Sequence, residues 1–258
     1  MDITGVVGGS GFYSFLSDVD EFAVDTPHGP PSAPVAVGDL AGRRVAFLPR
    51  HGRGHEFPPH RINYRANMWA LRRLGVCRVL APCAVGSLTE HLGPGDLVVP
   101  DQLVDRTTSR TQTYLESGAG HVGFADPYCP DLRDALLATG VMRDRGTMVV
   151  IDGPRFSTRA ESRWYAAQGW ELVNMTGHPE AVLARELGMC YASVALVTDR
   201  DAGADAASAV DQHEVFRVFE QNIERLRGLL CEVLTKLPDE PACGCADVLD
   251  GLPARHLP

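Results

Sequence analysis

The sequence predicts an α/β fold: a single domain whose mixed, largely twisted central β-sheet is flanked by helices. Short apolar runs of strand length alternate along the chain with segments of helical periodicity, a pattern typical of strand–helix–strand units. The 258 residues are enough to bury a full core. Six strand ends carry glycine together with a polar side chain, and ligands bind at such ends in α/β sheets. The pattern therefore favours an enzyme over a structural module.

The first half of the chain predicts four strands and one helix. The helix has Met68, Leu71 and Leu74 on one face, and Gly75 is a natural stop. The third strand continues toward the Gly86-Ser87 pair. The strands are expected at 3–7, 44–48, 77–81 and 97–99, and the helix at 64–74.

The second half predicts three more strands and three more helices. Pro179 is suited to the first turn of a helix, where a missing N–H is harmless. The strands are expected at 148–151, 171–173 and 191–197, and the helices at 160–167, 179–187 and 211–236. The buried stripe of the last helix is expected to be Val215, Phe219, Ile223, Leu226 and Leu230.

The domain is expected to span 1–237, with a proline-rich tail at 238–258 that packs on the surface or on a neighbour. The net charge of −9 disfavours a nucleic-acid surface. Neither a signal peptide nor a membrane span is visible, and seven cysteines in mostly apolar segments suit a reducing cytoplasm. Cys243 and Cys245 form a thiol pair in the tail, but no second pair of finger-like spacing accompanies it, so no metal site is expected.

Two carboxylates follow a buried strand near residue 200. The apolar run 192–197 stops before Asp199 and Asp201. Side chains two residues apart on a strand share one face, so both carboxylates can address one ligand. Because burial disfavours the ionised form, one group could stay protonated and donate while the other accepts. The pair suits a neutral heterocycle such as adenine; the alternative is a solvated turn.

Other strand ends carry groups suited to an anion. Gly8-Gly9-Ser10-Gly11 lets backbone amides approach a phosphate but matches neither the dinucleotide fingerprint nor the P-loop. Arg50 and His51 supply a guanidinium and an imidazole. Thr176 adds a hydroxyl, although it is equally at home in an ordinary turn. Phe156 could stack on a flat base, and Met175 could lie beside it; both are equally compatible with core packing.

Taken together, these segments resemble the methylthioadenosine phosphorylase branch of the trimeric purine nucleoside phosphorylases. The resemblance covers nearly the whole chain up to the tail, in order. It is carried by Val7-Gly8-Gly9-Ser10-Gly11, Pro49-Arg50-His51-Gly52, Asn63-Tyr64-Arg65-Ala66-Asn67, Gly86-Ser87-Leu88, Asp101-Gln102, Asp105-Arg106-Thr107-Thr108, Gly153-Pro154-Arg155-Phe156-Ser157, Arg159-Ala160-Glu161-Ser162, Asn174-Met175-Thr176, Pro179-Glu180 and Thr198-Asp199-Arg200-Asp201.

The resemblance implies phosphorolysis of methylthioadenosine to adenine and methylthioribose 1-phosphate, with inorganic phosphate as co-substrate and no metal or organic cofactor. Asp199 is then the acid that donates to N7 of the departing base. The implied phosphate site is Ser10, Arg50, His51, Cys83, Ala84 and Thr176. The implied nucleoside contacts are Phe156, Asn174, Met175, Asp199 and Asp201, with Ser157 near the base.

The same resemblance assigns the 5′ substituent to residues near the last helix. Val215 and Phe216 are apolar enough for a methylthio group, whereas Gln212 stands where relatives often have an apolar residue and leaves room for a polar 5′ group. His121 resembles a residue contributed by the adjacent subunit of a homotrimer. Cys83 replaces a threonine common beside the phosphate, and His178 has no assigned role.

Three alternatives stay open. The first is a purine nucleoside phosphorylase acting on adenosine, other 5′-modified adenosines or 6-oxopurine nucleosides. Asp199 argues against the 6-oxo class, whose relatives carry asparagine at the matching position. The second is a nucleosidase that uses water instead of phosphate. The third is a non-catalytic nucleoside-binding protein.

Overall fold

The central sheet of this computed structural model is mixed and contains eleven strands within the described residues 3–9, 16–40, 42–202, 209–252 and 258. The strands are β1 (Ile3–Gly8), β2 (Ser17–Phe22), β3 (Val35–Leu40), β4 (Arg43–Pro49), β5 (Val76–Ser87), β6 (Leu97–Val99), β7 (Gln102–Arg106), β8 (Arg143–Asp144), β9 (Thr147–Ile151), β10 (Leu172–Asn174) and β11 (Cys190–Asp199). The helices are α1 (Tyr64–Arg73), α2 (Pro130–Leu137), α3 (Arg159–Ala167), α4 (Gly177–Glu186) and α5 (Gln212–Lys236), with 3₁₀ turns at Pro59–Arg61 and Gly244–Gly251.

Four strands run in the same direction. β1 lies between β4 and β5 and is parallel to both, and β5 is parallel to β11. Their carboxyl ends therefore lie on the same side of the sheet, which is where ligands gather in folds of this type.

β5 is the longest strand, at 12 residues, and it joins two parts of the sheet. Its last residues, Gly86 and Ser87, pair with β10 in antiparallel orientation, and β10 pairs with β9 in parallel orientation. β10 therefore runs back along β5, and its end at Asn174 lies beside Ala84 rather than at the far edge. This reversal brings the ends of β9 and β10 to the same cavity as the ends of β4 and β11.

The two faces of the sheet carry separate cores. Val7 belongs to a cluster that includes α1 and α4 through Met68 and Leu183, whereas Val6 belongs to a cluster that includes α2 and α5 through Leu136 and Leu226. Successive residues of a strand point to opposite faces, so one short apolar strand supplies both cores.

The predicted fold class is confirmed, and each predicted strand and helix is present, the strand at 97–99 with the predicted bounds and the others with bounds that differ. The sequence analysis did not identify β2, β3, β7, β8 or α2. The predicted buried stripe of α5 was wrong over its first half: Val215, Phe219 and Ile223 are half-buried, and its buried residues are Val218, Leu226, Leu229, Leu230, Val233 and Leu234.

The tail packs against the domain where it is described. The Arg78 guanidinium donates to the carbonyls of Pro238 and Asp239 at 2.6 and 2.8 Å, and Cys245 is buried among the residues of α2 and α5. None of the helices in the described ranges is both long and apolar enough to cross a membrane.

Candidate active site

A cavity of about 210 Å³ opens where the strand ends converge. Cavities that bind small molecules are typically concave, mostly apolar and provided with a few convergent polar groups. Its lining comprises Gly9, Arg50, His51, His55, Pro59, Pro82, Cys83, Ala84, Val85, Gly86, Ile151, Phe156, Ser157, Val173, Asn174, Met175, Thr176, Thr198, Asp199, Asp201, Val215, Phe216 and Phe219.

Arg50 follows β4 and is only 2% exposed. Its Nε and Nη2 donate to the two carboxylate oxygens of Glu180, Nη2 also donates to the Val7 carbonyl at 2.9 Å, and Nη1 donates to the Pro82 carbonyl at 3.2 Å. Although burial works to lower it, the Glu180 carboxylate raises the pKa of Arg50 above its ordinary value. The cation is therefore permanent, and one Nη1–H remains for an anion in the cavity.

His51 is held in one tautomer by the backbone. Its Nδ1 lies 2.8 Å from the Phe57 carbonyl oxygen, which can only accept, so Nδ1 carries the hydrogen. Burial, together with the positive charge of Arg50, lowers the pKa of His51 to about 4. The neutral ring then presents Nε2 as an acceptor. His55 stacks on it with ring centroids 4.5 Å apart.

The side-chain amide of Asn174 forms hydrogen bonds with backbone atoms of three other residues. Its Nδ2 donates to the Ala84 carbonyl at 3.0 Å, and its Oδ1 accepts from the amides of Thr176 and Gly177 at 2.7 and 2.6 Å. All these side-chain hydrogen bonds are with backbone, and because Asn174 also lines the cavity, its contact with the nucleoside stays a prediction. The amide fixes Thr176, whose hydroxyl does not cap α4, at the cavity wall.

Cys83 and Ala84 lie on β5 beside Arg50 in the same wall. Burial raises the pKa of the Cys83 thiol to about 12. The thiol is therefore neutral near pH 7 and can offer an anion only a weak S–H donor.

The acid pair lines the same cavity. Burial raises the pKa of Asp199 to about 6, against the lowering effect of the Thr198 hydroxyl, 2.8 Å from Asp199 Oδ2. Burial also raises the pKa of Asp201, while the hydroxyls of Ser162 and Ser157 lower it. Asp201 Oδ2 and Ser157 Oγ are nevertheless both buried without a hydrogen bond of ordinary geometry. Two polar atoms are therefore available to a ligand.

Gly86 allows the acid pair to approach β5. A Cβ built there would lie 2.9 Å from Val173 Cγ1, 3.0 Å from Asp199 Oδ1 and 3.3 Å from the Cβ of Asp201. Both acidic residues thus pack over the same glycine, although β11 ends at Asp199 and Asp201 lies in the turn beyond it.

Apolar side chains form the remaining wall. Phe156 and Met175 come from the segments after β9 and β10, and Val215, Phe216 and Phe219 come from the first turns of α5. Phe216 is 42% exposed and meets His55 edge-on, so it borders the mouth of the cavity.

Two described residues predicted for the site are not among the lining residues. Gln212 and His121 are exposed and do not line the cavity of their own chain, so their predicted roles stay predictions. Ser10 lies outside the described residues.

Several contributors were missed. Glu180 pairs with Arg50 from α4, 130 residues away, so no local pattern reveals the pair. Arg110 donates to the carbonyls of Met175, Asp152 and His178 and so fixes the loop after β10. His178 is buried against Gln112 and Asp105, outside the cavity.

Side chains of metal-ligating type gather in the described part of the chain at one place, Cys129, Cys190, Cys243 and Cys245, which is not part of the cavity.

Comparison with known proteins agrees with this geometry. A family model described as the phosphorylase superfamily matches residues 3–235. An S-methyl-5′-thioadenosine phosphorylase of Mycolicibacterium smegmatis is 62% identical over 240 residues, covering 93% of each chain. A purine nucleoside phosphorylase of Streptomyces coelicolor is 57% identical over 271 residues, covering 98% of this chain and 97% of that protein.

Solved structures are similar as well. A methylthioadenosine phosphorylase from an antarctic soil metagenomic library has a TM-score of 0.92 at 37% identity, covering 100% of this chain and 94% of that one. The methylthioadenosine phosphorylase of Schistosoma mansoni in complex with adenine has a TM-score of 0.91 at 33% identity, covering 97% and 99%.

Proposed function

Because the chain belongs to the phosphorylase superfamily, we propose that it catalyses phosphorolysis of S-methyl-5′-thioadenosine to adenine and 5-methylthioribose 1-phosphate. One observation carries the assignment: a single cavity holds a permanent cation, Arg50, on one wall and a carboxyl with a raised pKa, Asp199, on another. The cation suits phosphate, and the carboxyl suits protonation of a leaving base.

In the proposed reaction a phosphate oxygen attacks the anomeric carbon C1′ and the C1′–N9 bond breaks. The bonding electrons move into the purine, whose N7 takes the proton of Asp199. Arg50, His51 and the Thr176 hydroxyl hold the phosphate, helped by Ser10 and the backbone at Cys83 and Ala84. The phosphate's negative charge also stabilises the cationic character that develops on the sugar.

The base is proposed to lie against Phe156, with Asp201 and Ser157 receiving its polar edge. Their buried, unpartnered oxygens support this position, because an amino purine can satisfy them. Met175 then lies beside the ribose. Val215, Phe216 and Phe219 offer the 5′ methylthio group an apolar surface.

The remaining proposals rest on the family resemblance. We propose a homotrimer in which His121, exposed and not part of the lining of its own cavity, completes the site of a neighbouring subunit. We also propose a cytoplasmic enzyme without metal or organic cofactor in the reaction, with 1–237 as the catalytic domain and 238–258 as an attached tail. The end of the family match at residue 235 supports that division.

Product analysis tests the proposed reaction. The full-length protein is incubated with methylthioadenosine, adenosine or inosine, with and without inorganic phosphate. Adenine and a sugar 1-phosphate from methylthioadenosine, formed only with phosphate, are expected. Adenine released without phosphate would instead identify a nucleosidase, and tight adenine binding without turnover would identify a binding protein.

A second candidate is a purine nucleoside phosphorylase that prefers adenosine; a relative from Streptomyces coelicolor is named a purine nucleoside phosphorylase. Faster turnover of adenosine than of methylthioadenosine in the same assay would support it. Faster turnover of inosine would contradict the inference that Asp199 selects against 6-oxopurines. Sedimentation of the purified protein tests the trimer.

A further inference from the structure

Four cysteines distant in sequence converge on the face of the sheet opposite α1 and α4. Cys129 precedes α2, Cys190 begins β11, and Cys243 and Cys245 come from the tail at the start of its 3₁₀ turn. Their sulfur atoms all lie within 4.8 Å of one another, and we refer to the set as the cysteine cluster. The absence of a second nearby cysteine pair was therefore a poor argument against a metal, because the fold assembles the set.

The sulfur separations match a shared cation better than bonded pairs. Cys190 Sγ and Cys243 Sγ are 3.3 Å apart, and Cys129 Sγ and Cys243 Sγ are 3.5 Å apart. The two sulfur atoms of a disulfide lie about 2.05 Å apart. Four thiolates around zinc at about 2.3 Å place their sulfurs about 3.8 Å from one another in a tetrahedron. Small outward movements would complete that geometry.

The surroundings suit such a site. Cys129, Cys190 and Cys245 are buried among apolar residues of α2 and α5, which exclude competing water. Four thiolates and a divalent cation together carry two negative charges. Arg133, Arg145 and Arg185 line the pocket that contains Cys245, together with Asp101 and Asp126, and Asp144 pairs with both Arg133 and Arg145.

We propose that the cysteine cluster binds one zinc ion as a structural site. Each thiol releases its proton to solvent when its sulfur coordinates the metal, and no redox step is involved. Zinc is the choice because a closed tetrahedral set of four soft sulfur ligands is typical of structural zinc sites.

The site fastens the tail rather than assisting catalysis. It joins the tail to segments 53 and 114 residues earlier in the chain. It lies at the first residue of β11, whereas Asp199 is the last, so the two are separated by about 30 Å of extended strand. Loss of zinc should therefore lower stability much more than it changes turnover below the melting temperature.

Metal analysis of the full-length protein tests the proposal. The protein is expressed with zinc supplementation, purified with a phosphine reductant and without chelator, and analysed by mass spectrometry of elements. One zinc per chain is expected. Cys245→Ser and Cys243→Ser should each lose most of the zinc and melt at lower temperature. The matched control Cys77→Ser, outside the cluster, should keep its zinc and the melting temperature of the wild type.

A chelator titration of the unmodified chain keeps the test decisive if a variant fails to fold. Chelator should release zinc and lower the melting temperature of the wild type and of Cys77→Ser alike. Four freely alkylated thiols with no bound metal would overturn the proposal. So would disulfides among the four cysteines in protein purified without reductant, or iron bound in place of zinc.

Discussion

Glu180 holds both the Nε and the Nη2 of Arg50 in a pair from which solvent is excluded, since the two side chains are 0% and 2% exposed. Tyr191 donates its hydroxyl to the same carboxylate at 2.9 Å. The cavity wall that we assign to phosphate is therefore electrically balanced before an anion enters, and Arg50 is fixed in position.

Replacing Glu180 should show that Arg50 depends on this carboxylate for its charge balance. Glu180→Gln leaves the Arg50 cation buried without its counter-charge, and breaking such a pair costs about 3–5 kcal/mol of unfolding free energy. An entering phosphate would restore part of that charge balance, so phosphate should raise the melting temperature of the variant more than that of the wild type. Thermal denaturation with and without phosphate measures both effects.

Glu186→Gln is the matched control, because Glu186 is also buried and paired but contacts Thr113 and Tyr114 instead. It should lose stability without any change in the phosphate-induced shift. Equal phosphate shifts in Glu180→Gln and Glu186→Gln would contradict the proposed anion site.

Asp199→Asn should remove the leaving-group acid. General acid catalysis contributes about 10²–10⁴-fold, so kcat/KM for methylthioadenosine should fall by at least about 100-fold. In the wild type, kcat/KM should decline as pH rises through about 6, because only the protonated carboxyl can donate. A pH profile of initial rates tests this. If kcat/KM of Asp199→Asn declined with pH as in the wild type, Asp199 would not be the acid.

The same substitution should change stability in a pH-dependent way. The pKa of Asp199 is raised from 3.8 to about 6, so its contribution to stability is present below pH 3.8 and lost as pH rises through about 6. Two pKa units correspond to about 3 kcal/mol. Asp199→Asn should therefore stabilise the protein most at about pH 8 and little in acid. Urea denaturation at several pH values measures it; equal effects at all pH values would contradict the raised pKa.

His51 should make phosphate binding depend on the protonation of phosphate itself. With Nδ1 occupied by the Phe57 carbonyl, neutral Nε2 can accept a hydrogen bond only from a protonated phosphate oxygen. The KM for phosphate should rise as phosphate loses its second proton. His51→Leu should raise KM about tenfold, the value of one hydrogen bond, and flatten that dependence. The exposed His60 is the control, since His60→Leu should alter neither.

Substitutions on α5 should change the preference between methylthioadenosine and adenosine only where the side chain lines the cavity. Val215→Gln places a polar group against the methylthio substituent and should shift kcat/KM from methylthioadenosine toward adenosine by about 10–200-fold. Gln212→Ala is the comparison on the same helix. Because Gln212 is exposed and outside the cavity, the substrate preference of Gln212→Ala should stay that of the wild type. A larger shift from the Gln212 variant would reverse our assignment.

Local patterns predicted the elements whose neighbours lie close in sequence. The apolar runs at 3–7 and 191–197 correspond to β1 and β11, because a strand buried on both faces reads as a continuous apolar segment. β2 has the sequence SDVDEF, and four of its six residues are polar. Among the described strands it pairs only with β3, at the edge of the sheet, so no apolar pattern identified it.

The candidate site was less predictable where side chains serve the backbone. The motif containing Asn174 was recognisable, but its three hydrogen bonds to Ala84, Thr176 and Gly177 depend on β10 running back along β5. Glu180 and the four cysteines depend in the same way on contacts between distant segments. A polar residue's type can be read from sequence, whereas its partners require the topology.

The dual use of β5 has a consequence for how this chain can tolerate length changes. Within 82–87, one strand supplies the backbone beside Arg50, the glycine beneath the acid pair and the pairing partner of β10. A single inserted or deleted residue there would turn every following side chain to the other face and misalign both halves of the cavity together. Variation in chain length among functional homologues should therefore collect at edges such as the β2–β3 connection and be absent from this stretch.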